Sequence, residues 1–219
     1  IAHDEDIHLL SLQIFKNHIV INERKDGLKG FRVINQLNKQ SHRIQFQDNA
    51  YSARFSINEE FNTNIIRYNY SSMTTPRSTF DYNMDSKKQV LMKQQTVVGG
   101  YDSNLYQSER IYVKARDGVL IPVSMVYKKD KRLQGPQNLL LYAYGSYGST
   151  TDPYFSSTRL SLLDRGFIFA IAHIRGGEEM GRKWYEDGKL LKKKNTFYDF
   201  IDCSKYLIDE KYCSSSNLY

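Results

Sequence analysis

The chain has 219 residues, of which 40% are hydrophobic and 25% are charged, and its formal net charge is +7. This composition is typical of a folded protein with one or two domains and excludes a disordered chain. No apolar stretch approaches the roughly 20 residues of a membrane span, and the basic runs at 128–132 and 189–194 lack the interleaved aromatic residues of a nucleic-acid stacking surface. We therefore expect neither a membrane nor a nucleic acid as a partner.

The N-terminal residues 1–6 are acidic, without an initiating Met and without the apolar core of a signal peptide. We expect the chain to begin inside a longer protein. The two cysteines, Cys203 and Cys213, are too few for a closed zinc site, and nothing else in the sequence indicates a metal or a cofactor. They indicate reduced thiols in a cytoplasmic protein rather than a disulfide. Cys203 is expected to be a small packing residue.

From residue 7 to about 91 the pattern is that of short strands separated by polar turns. Strands are predicted at 9–15, 18–23, 30–35, 44–46, 53–57, 65–70, 78–82 and 89–92. Lys25-Asp26-Gly27 predicts a hairpin turn. Two groups of four strands, each of roughly forty residues, match the period of β-propeller blades. A small irregular β-sandwich is the alternative.

From about Glu109 the pattern changes to one that alternates strands with helices. Strands at 111–115 and 120–127 flank the hairpin signal Asp117-Gly118. The next predicted elements are a strand at 139–144, a helix at 157–164 ended by Gly166, a strand at 167–173, a short helix within 178–187, a longer helix from Thr196, and a further strand starting near 217–219. A hairpin followed by strand, helix, strand and helix is the opening order of an α/β-hydrolase sheet.

The sequence thus predicts two blades of a β-propeller at 1–100, followed by the opening part of an α/β-hydrolase domain at 101–219. Segments 99–101 and 107–110 are expected to link them. In the last helix, Thr196 and Asp199 have the spacing of a capping box. One apolar face of that helix is predicted to contain Phe197, Phe200, Ile201, Ser204, Leu207 and Ile208.

The apolar run that starts at Leu139 breaks into a loop of glycines and tyrosines. A donor-rich loop at the carboxyl end of a strand is where α/β proteins place ligand and transition-state contacts. Tyr142 and Tyr144 are expected on the same face, because alternate residues of a strand share a face. The sequence alone does not separate a chemical role from a packing role for these two residues.

A catalytic triad inside the chain would have to use Ser146, His173 and either Asp187 or Asp199. A hydrolase nucleophile needs a sharp strand–turn–helix elbow, but Pro153 and polar residues separate Ser146 from the next helix. A histidine at the end of the following strand is poorly placed to act as the base. We therefore expect no internal triad and a structural role for His173.

The chain resembles the prolyl oligopeptidase family of serine peptidases, and within it the oligopeptidase B branch. The hydrolase part carries YAYGSYG at 142–148, DPYFS at 152–156, LSLLDRG at 160–166, HIRGG at 173–177, GRKWYEDGK at 181–189 and NTFYDF at 195–200. The propeller part carries EDI at 5–7, ER at 23–24, YSSMTTP at 70–76 and KQQ at 93–95. The resemblance covers essentially the whole chain, and it implies that residues 1–100 are the C-terminal blades of the propeller and residues 101–219 the N-terminal part of the peptidase domain.

The resemblance implies a peptidase that cleaves short peptides after Arg or Lys through an acyl-enzyme. It places the catalytic Ser, Asp and His beyond Tyr219, so the chain alone is expected to be inactive. Tyr144, the second tyrosine of the family's Tyr-x-Tyr-Gly motif, is implied to donate its hydroxyl to the oxyanion. Asp152 and Tyr147 are assigned to substrate binding. Asp152 matches an acidic subsite for a second basic residue, whereas Tyr154 replaces the Asp that often follows it.

The implied partners are short basic peptides, which a propeller over the active site would select by size. The charged loop that begins at Arg175 is expected at the interface of the two domains, where ion pairs would connect them. Two alternatives remain open. One is a different α/β-hydrolase, such as an acylaminoacyl peptidase or an esterase. The other is a non-catalytic binding protein built on the propeller.

Overall fold

The computed structural model describes Asp4 and residues 7–219, which form two β-sheets. The expectations about residues 1–6, namely the missing signal peptide and the EDI match, fall almost entirely outside the described residues. The strands of the first sheet are β1 (Ile7–Ile14), β2 (His18–Lys25), β3 (Leu28–Asn35), β4 (Ser41–Arg43), β5 (Tyr51–Phe55), β6 (Ile65–Ser72), β7 (Ser78–Asn83) and β8 (Gln89–Gln94).

The first sheet consists of two antiparallel groups of four strands, β1 to β4 and β5 to β8. The groups meet where Lys29 of β3 pairs in parallel with Ser52 of β5. The β2–β3 hairpin turns on Asp26 and Gly27, whose φ angles of 51° and 79° suit an Asp-Gly pair. The two predicted blades are confirmed.

The fourth predicted strand is wrong by three residues. It lies at Ser41–Arg43 instead of 44–46. Ile44 continues the contact with the sheet, since its amide donates to the carbonyl of Phe31 at 3.0 Å. Ile44 and Phe46 are apolar because they pack into the core of the blades, and the strand ladder itself ends before them.

The second sheet is formed by β9 (Tyr106–Lys114), β10 (Leu120–Lys128), β11 (Leu139–Tyr142) and β12 (Ile168–Ala172). Its spatial order is β11-β12-β10-β9, with β11 parallel to β12 and the other neighbours antiparallel. Leu218 forms a parallel bridge with Leu139, so the segment expected to start a further strand does pair with β11. This is the predicted α/β-hydrolase arrangement.

Three α-helices are present among the described residues: α1 (Ser157–Leu163), α2 (Arg182–Glu186) and α3 (Lys194–Asp209). Short 3-10 helices lie at Ser103–Leu105, Lys129–Lys131 and Leu190–Lys192. Gly166, with a φ of 85°, ends α1 as predicted. Cys203 of α3 is fully buried in the core of the second sheet, and Cys203 and Cys213 are both free thiols.

The capping box predicted for α3 is wrong. The helix begins two residues before Thr196, and the Thr196 hydroxyl donates to the carbonyl of Arg175 at 2.8 Å. Asp199 binds the side chain of Arg175 instead of a helix amide. The predicted face is also rotated, because Phe197 is 61% exposed and Ile201 is 41% exposed. The buried residues of α3 are Thr196, Asp199, Cys203 and Leu207.

The second sheet begins earlier than the sequence indicates. Segment 107–110, predicted as linker, belongs to β9, where Arg110 lies opposite Ser124 of β10. The connection between the sheets is the stretch between β8 and β9, which includes 99–101. The domain boundary at residue 100 stays a prediction. Within the described part of the chain, no helix has both the length and the apolar character needed to cross a membrane.

Candidate functional site

The loop 143–148 follows β11 at the edge of the second sheet where the parallel strands β11 and β12 end. Gly145, Tyr147 and Gly148 have φ angles of 63°, 56° and 67°. This left-handed conformation is easy for glycine but costly for tyrosine. The surrounding structure must therefore hold the loop in this shape.

Three backbone segments pack against one another at this loop. A Cβ atom on Gly176 would overlap the carbonyl oxygen of Gly145, and one on Gly188 would overlap the backbone of Gly176. The ammonium group of Lys193 donates to the carbonyl of Gly145 at 2.5 Å and to the hydroxyl of Ser146 at 2.7 Å. These contacts fix the loop to the segment after β12 and to the start of α3.

Tyr142 and Tyr144 line the same cleft, of about 490 Å³, at the carboxyl ends of β11 and β12. They are 46% and 49% exposed, and neither hydroxyl makes a hydrogen bond with another described residue. The two tyrosines are thus free donors that face the same space, as their spacing predicts. Tyr147 is 87% exposed and does not line this cleft. Its assignment to substrate binding stays a prediction.

The residues of the hypothetical internal triad bind other partners. Ser146 is hydrogen-bonded to Lys193, and His173 is hydrogen-bonded through Nε2 to Ser124 at 2.8 Å. Asp187 accepts from Lys192 at 2.6 Å. No hydrogen bond joins Ser146 to His173 within the described ranges, 4 and 7–219. The same ranges contain no group of three His, Cys, Asp or Glu side chains that could hold a metal ion.

Arg175, in the segment after β12, forms ion pairs with Asp199 of α3 and with Asp117 of the β9–β10 turn. Its Nε and Nη2 donate to Asp199 at 2.9 and 2.5 Å, and its Nη1 donates to Asp117 at 2.6 Å. Hydrogen bonds to Asp199 raise the pKa of the Arg175 guanidinium above its usual range. Both partners belong to the hydrolase part, so Arg175 itself does not form the ion pair between the domains that was expected of its loop.

Asp152 connects the loop after β11 to the first blade. Its carboxylate accepts from Arg24 of β2 at 2.8 Å and from Lys29 of β3 at 2.5 Å. Arg24 is buried and also donates to the Thr150 hydroxyl at 3.1 Å. A basic side chain of a substrate would have to displace the more exposed cation, Lys29, to reach this carboxylate.

The β2–β3 hairpin turn is docked on the second sheet by Arg110 of β9. Its Nη2 donates to the carbonyl of Asp26 at 2.7 Å, and its Nη1 donates to the hydroxyl of Ser124 at 2.9 Å. Ser124 is in turn hydrogen-bonded to His173. Burial lowers the pKa of His173 well below its usual value, and the nearby positive charge of Arg110 adds a smaller effect in the same direction. His173 is therefore a neutral residue of this contact.

Glu179 is a buried carboxyl group at the same contact. It is 3% exposed, and its Oε1 accepts from the amide of Thr151 at 2.9 Å. Its Oε2 is buried and has no hydrogen-bond partner among the described residues. Burial raises the pKa of Glu179 to about 7, although the nearby Arg24 acts in the opposite direction. The charged loop that starts at Arg175 thus reaches the contact between the two sheets through Glu179.

Sequence reasoning missed the basic residues of this contact, Arg24, Lys29 and Arg110. Arg24 and Lys29 lie near the strand ends beside a turn, where a charged residue usually indicates a solvated surface. Arg110 was missed because its segment was predicted as a linker and not as part of a strand. A usable signal was the Asp-Gly turn itself, since a tight hairpin can bring Arg24 and Lys29 together on one side.

Comparison with protein families gives two matches on this chain. Residues 1–95 match the profile described as the prolyl oligopeptidase N-terminal β-propeller domain. Residues 153–219 match the profile described as the prolyl oligopeptidase family. The two matches follow the order of the two sheets along the chain.

Among curated proteins, the dipeptidyl aminopeptidase BI of Pseudoxanthomonas mexicana is 45% identical over the whole chain, and protease 2 of Moraxella lacunata is 36% identical. The chain spans 30% and 31% of the lengths of these relatives. The solved structures of oligopeptidase B from Leishmania major and from Trypanosoma brucei, the latter with covalently bound antipain, each match with a TM-score of 0.89 and 36% identity. All of this chain and 32% of each of those chains are covered.

Proposed function

The chain belongs to the prolyl oligopeptidase family of serine peptidases, and from this premise we propose that it is part of a longer serine oligopeptidase that cleaves short peptides after Arg or Lys. The reaction would proceed through an acyl-enzyme formed by a serine outside these 219 residues. The observation that carries the proposal is the cleft at the carboxyl ends of β11 and β12, where two tyrosine hydroxyls are free to donate.

Tyr144 is the proposed oxyanion donor. Attack on a peptide carbonyl creates a negatively charged oxygen, and donors positioned before the reaction lower the barrier without reorganising during it. The Tyr144 hydroxyl suits this role because it is unpaired, half-exposed and follows a strand in the glycine loop that the packing of Gly145 and Gly176 holds in place. Tyr142 faces the same cleft and is the competing donor.

Asp152 is the proposed contact for a basic substrate residue. It lines the cleft that contains Tyr144, and its carboxylate is the acidic group of that cleft. A substrate Arg or Lys would replace Lys29 as its partner and leave the buried Arg24 in place. We further propose that Tyr147 contacts the peptide from the exposed side of the loop, and that the protein is cytoplasmic, which the free thiols of Cys203 and Cys213 support.

The proposal is tested with the longer protein on a set of blocked fluorogenic peptides that differ only in the residue before the cleaved bond. We expect kcat/KM to be highest for Arg and Lys, and a fluorophosphonate probe to label one serine outside this chain. The 219-residue chain is the control and should show neither cleavage nor labelling. Equal rates for Arg, Ala and Pro peptides would contradict the proposed specificity. Labelling of Ser146 in the control would contradict the proposed location of the nucleophile.

A second candidate is the release of dipeptides from a free N-terminus. The name of the Pseudoxanthomonas mexicana relative, dipeptidyl aminopeptidase BI, favours it at 45% identity. The two candidates differ in whether the substrate needs a free amine. Acetylating the N-terminus of a tetrapeptide substrate should leave the rate within about threefold for an endopeptidase. It would abolish dipeptide release, because acetylation removes the charged amine that such an enzyme must recognise.

A further inference from the structure

A second cleft, of about 310 Å³, lies between the second blade and the segment that carries Asp152 and Phe155. Its blade side includes Arg54 of β5, Asn69 of β6 and Arg77, the residue before β7. Arg54 and Asn69 are directly opposite each other in the β5–β6 pair. The cleft is therefore built largely on regular strands rather than on mobile loops.

The cleft carries positive charge that the described residues do not balance. The guanidinium groups of Arg54 and Arg77 form no ion pair or hydrogen bond within the part of the chain that the structure describes. Lys29 also lines the cleft, but its ammonium group is paired with Asp152. The Oδ1 of Asn69 accepts from Thr79, which leaves its NH₂ group as an additional donor. Two unpaired guanidinium groups beside a free amide are the chemistry that recognises a carboxylate.

The wall opposite the arginines is fixed. The amide of Phe155 donates to the hydroxyl of Ser71 on β6 at 3.0 Å, which ties the segment to the second blade. The Phe155 ring also packs edge-on against Tyr101 at 4.9 Å. The width of the cleft is thus set before any ligand arrives, which reduces the entropy lost on binding.

The two clefts adjoin each other. Asp152 and Tyr154 line both the basic cleft and the cleft that contains Tyr142 and Tyr144. An extended peptide with its scissile bond at Tyr144 would therefore pass Asp152 and reach the arginines. We propose that Arg54 and Arg77 bind a carboxylate of the peptide substrate, either its C-terminus or an acidic side chain. This inference rests on the proposed peptidase function.

The inference is tested first by binding, because binding does not depend on turnover. The ligand is a blocked hexapeptide with one central Arg, otherwise Ala, and an N-methylated bond after the Arg, prepared as the free acid, as the carboxamide, and as the carboxamide with one Asp. Calorimetry with the longer protein should give at least about fivefold tighter binding for one carboxylate-bearing peptide than for the plain carboxamide, as expected for a partly exposed ion pair. Which of the two binds more tightly identifies the source of the carboxylate.

The variants Arg54→Gln and Arg77→Gln should each remove most of this preference without changing the affinity for the plain carboxamide. Arg165→Gln is the matched control, because Arg165 is exposed at the opposite end of the second sheet, before β12. Equal affinity for all three peptides, or a preference that survives in both cleft variants, would overturn the inference. Cleavage of the unmethylated carboxamide peptide is measured separately. Its absence would count against the proposed function, while the binding result would still decide the role of the arginines.

Discussion

At the scale of single residues, the carboxylate of Asp152 has two competing uses. It holds the first blade through Arg24 and Lys29, and it is also the acidic group of the proposed substrate cleft. Arg24 is buried, so its removal would leave Asp152 without a buried partner. Lys29 is the partner that a substrate cation could replace, because it is 25% exposed.

Two single replacements in the longer protein, one of Asp152 and one of Lys29, distinguish substrate binding by Asp152 from its attachment to the blade. If Asp152 binds substrate, Asp152→Asn should lower kcat/KM for peptides with two adjacent basic residues by about tenfold to a hundredfold relative to peptides with one. Lys29→Gln should change the same ratio in the opposite direction by about threefold or more, because it frees the carboxylate. The ratio is measured with matched peptides. Losses in both variants, equal on both peptides, would assign Asp152 to blade attachment alone.

Glu179 should give the chain a pH-dependent stability. Its pKa of about 7 in the folded chain exceeds the ordinary carboxyl value, so the folded state keeps a proton that the unfolded state releases. The free energy of unfolding should therefore fall as the pH rises from about 4.5 to about 7, by up to about 3 kcal/mol from this group. Glu179→Gln should lose this dependence and be the more stable protein above pH 7.

The measurement is urea unfolding at pH 5 and pH 8, followed by the fluorescence of Trp184, the chain's one tryptophan. Trp184 is a local reporter, because its indole donates to the carbonyl of His173 at 3.0 Å. Glu59→Gln on the exposed surface is the control for the loss of one charge. If the free energy of unfolding of Glu179→Gln and of Glu59→Gln depends on pH in the same way, the protonation of buried Glu179 does not cause the pH dependence.

At the scale of elements, the candidate site depends on backbone segments that touch without side chains between them. Gly176 has a φ of 101°, and a Cβ atom there would overlap the backbone of Gly145. Gly99 has a similar φ of 91°, but nothing lies within 4 Å of the position of its Cβ. Substituting alanine at Gly99 and at Gly176 therefore distinguishes the energetic cost of a positive φ from the cost of the close approach between backbones.

We expect Gly99→Ala to lower the free energy of unfolding by about 1 kcal/mol, which is the cost of a positive φ for alanine. Gly176→Ala should lower it by more than about 3 kcal/mol, because the loops around Gly145 must move apart. Urea unfolding of the two variants and the parent chain compares these costs. Equal losses would mean that the glycine loop yields to the added methyl group and is not rigid.

Elements with a strong local pattern could be predicted from the sequence, and long-range partners could not. The Asp26-Gly27 turn and the strands around it follow from turn chemistry and alternation. The spacing of Thr196 and Asp199 matches a capping box, but Arg175, a residue distant in sequence, takes both groups. Local spacing specifies which groups are available, and tertiary packing decides which of them bind.

At the scale of the whole molecule, both edges of the first sheet are apolar and exposed. Leu9 and Leu12 on β1 are 48% and 59% exposed, and Val90 and Leu91 on β8 are 59% and 50% exposed. Such strands in a propeller are covered by neighbouring blades. The chain spans about a third of the length of the curated relatives it matches.

The sequence predicted the order of blades and hydrolase strands because each is a run of local signals. It did not predict how the two sheets meet. Arg24, Arg110 and Glu179 reach that contact from three separate elements, and no periodicity relates them. The candidate site could be predicted only in part. Its tyrosines belong to a motif that the sequence shows, whereas the pairing of Asp152 with Arg24 and Lys29 could be found only from the folded structure.

The central claim is that the Tyr144 hydroxyl stabilises the oxyanion of peptide cleavage, and single-turnover acylation of the longer protein tests it most directly. Tyr144→Phe should lower the acylation rate by about 10²–10³ with little change in KM, because the lost hydrogen bond forms mainly in the transition state. Tyr142→Phe, in the same cleft, should stay within about threefold of the parent, because its ring is kept. A large loss for Tyr142→Phe with an unchanged rate for Tyr144→Phe would contradict the account.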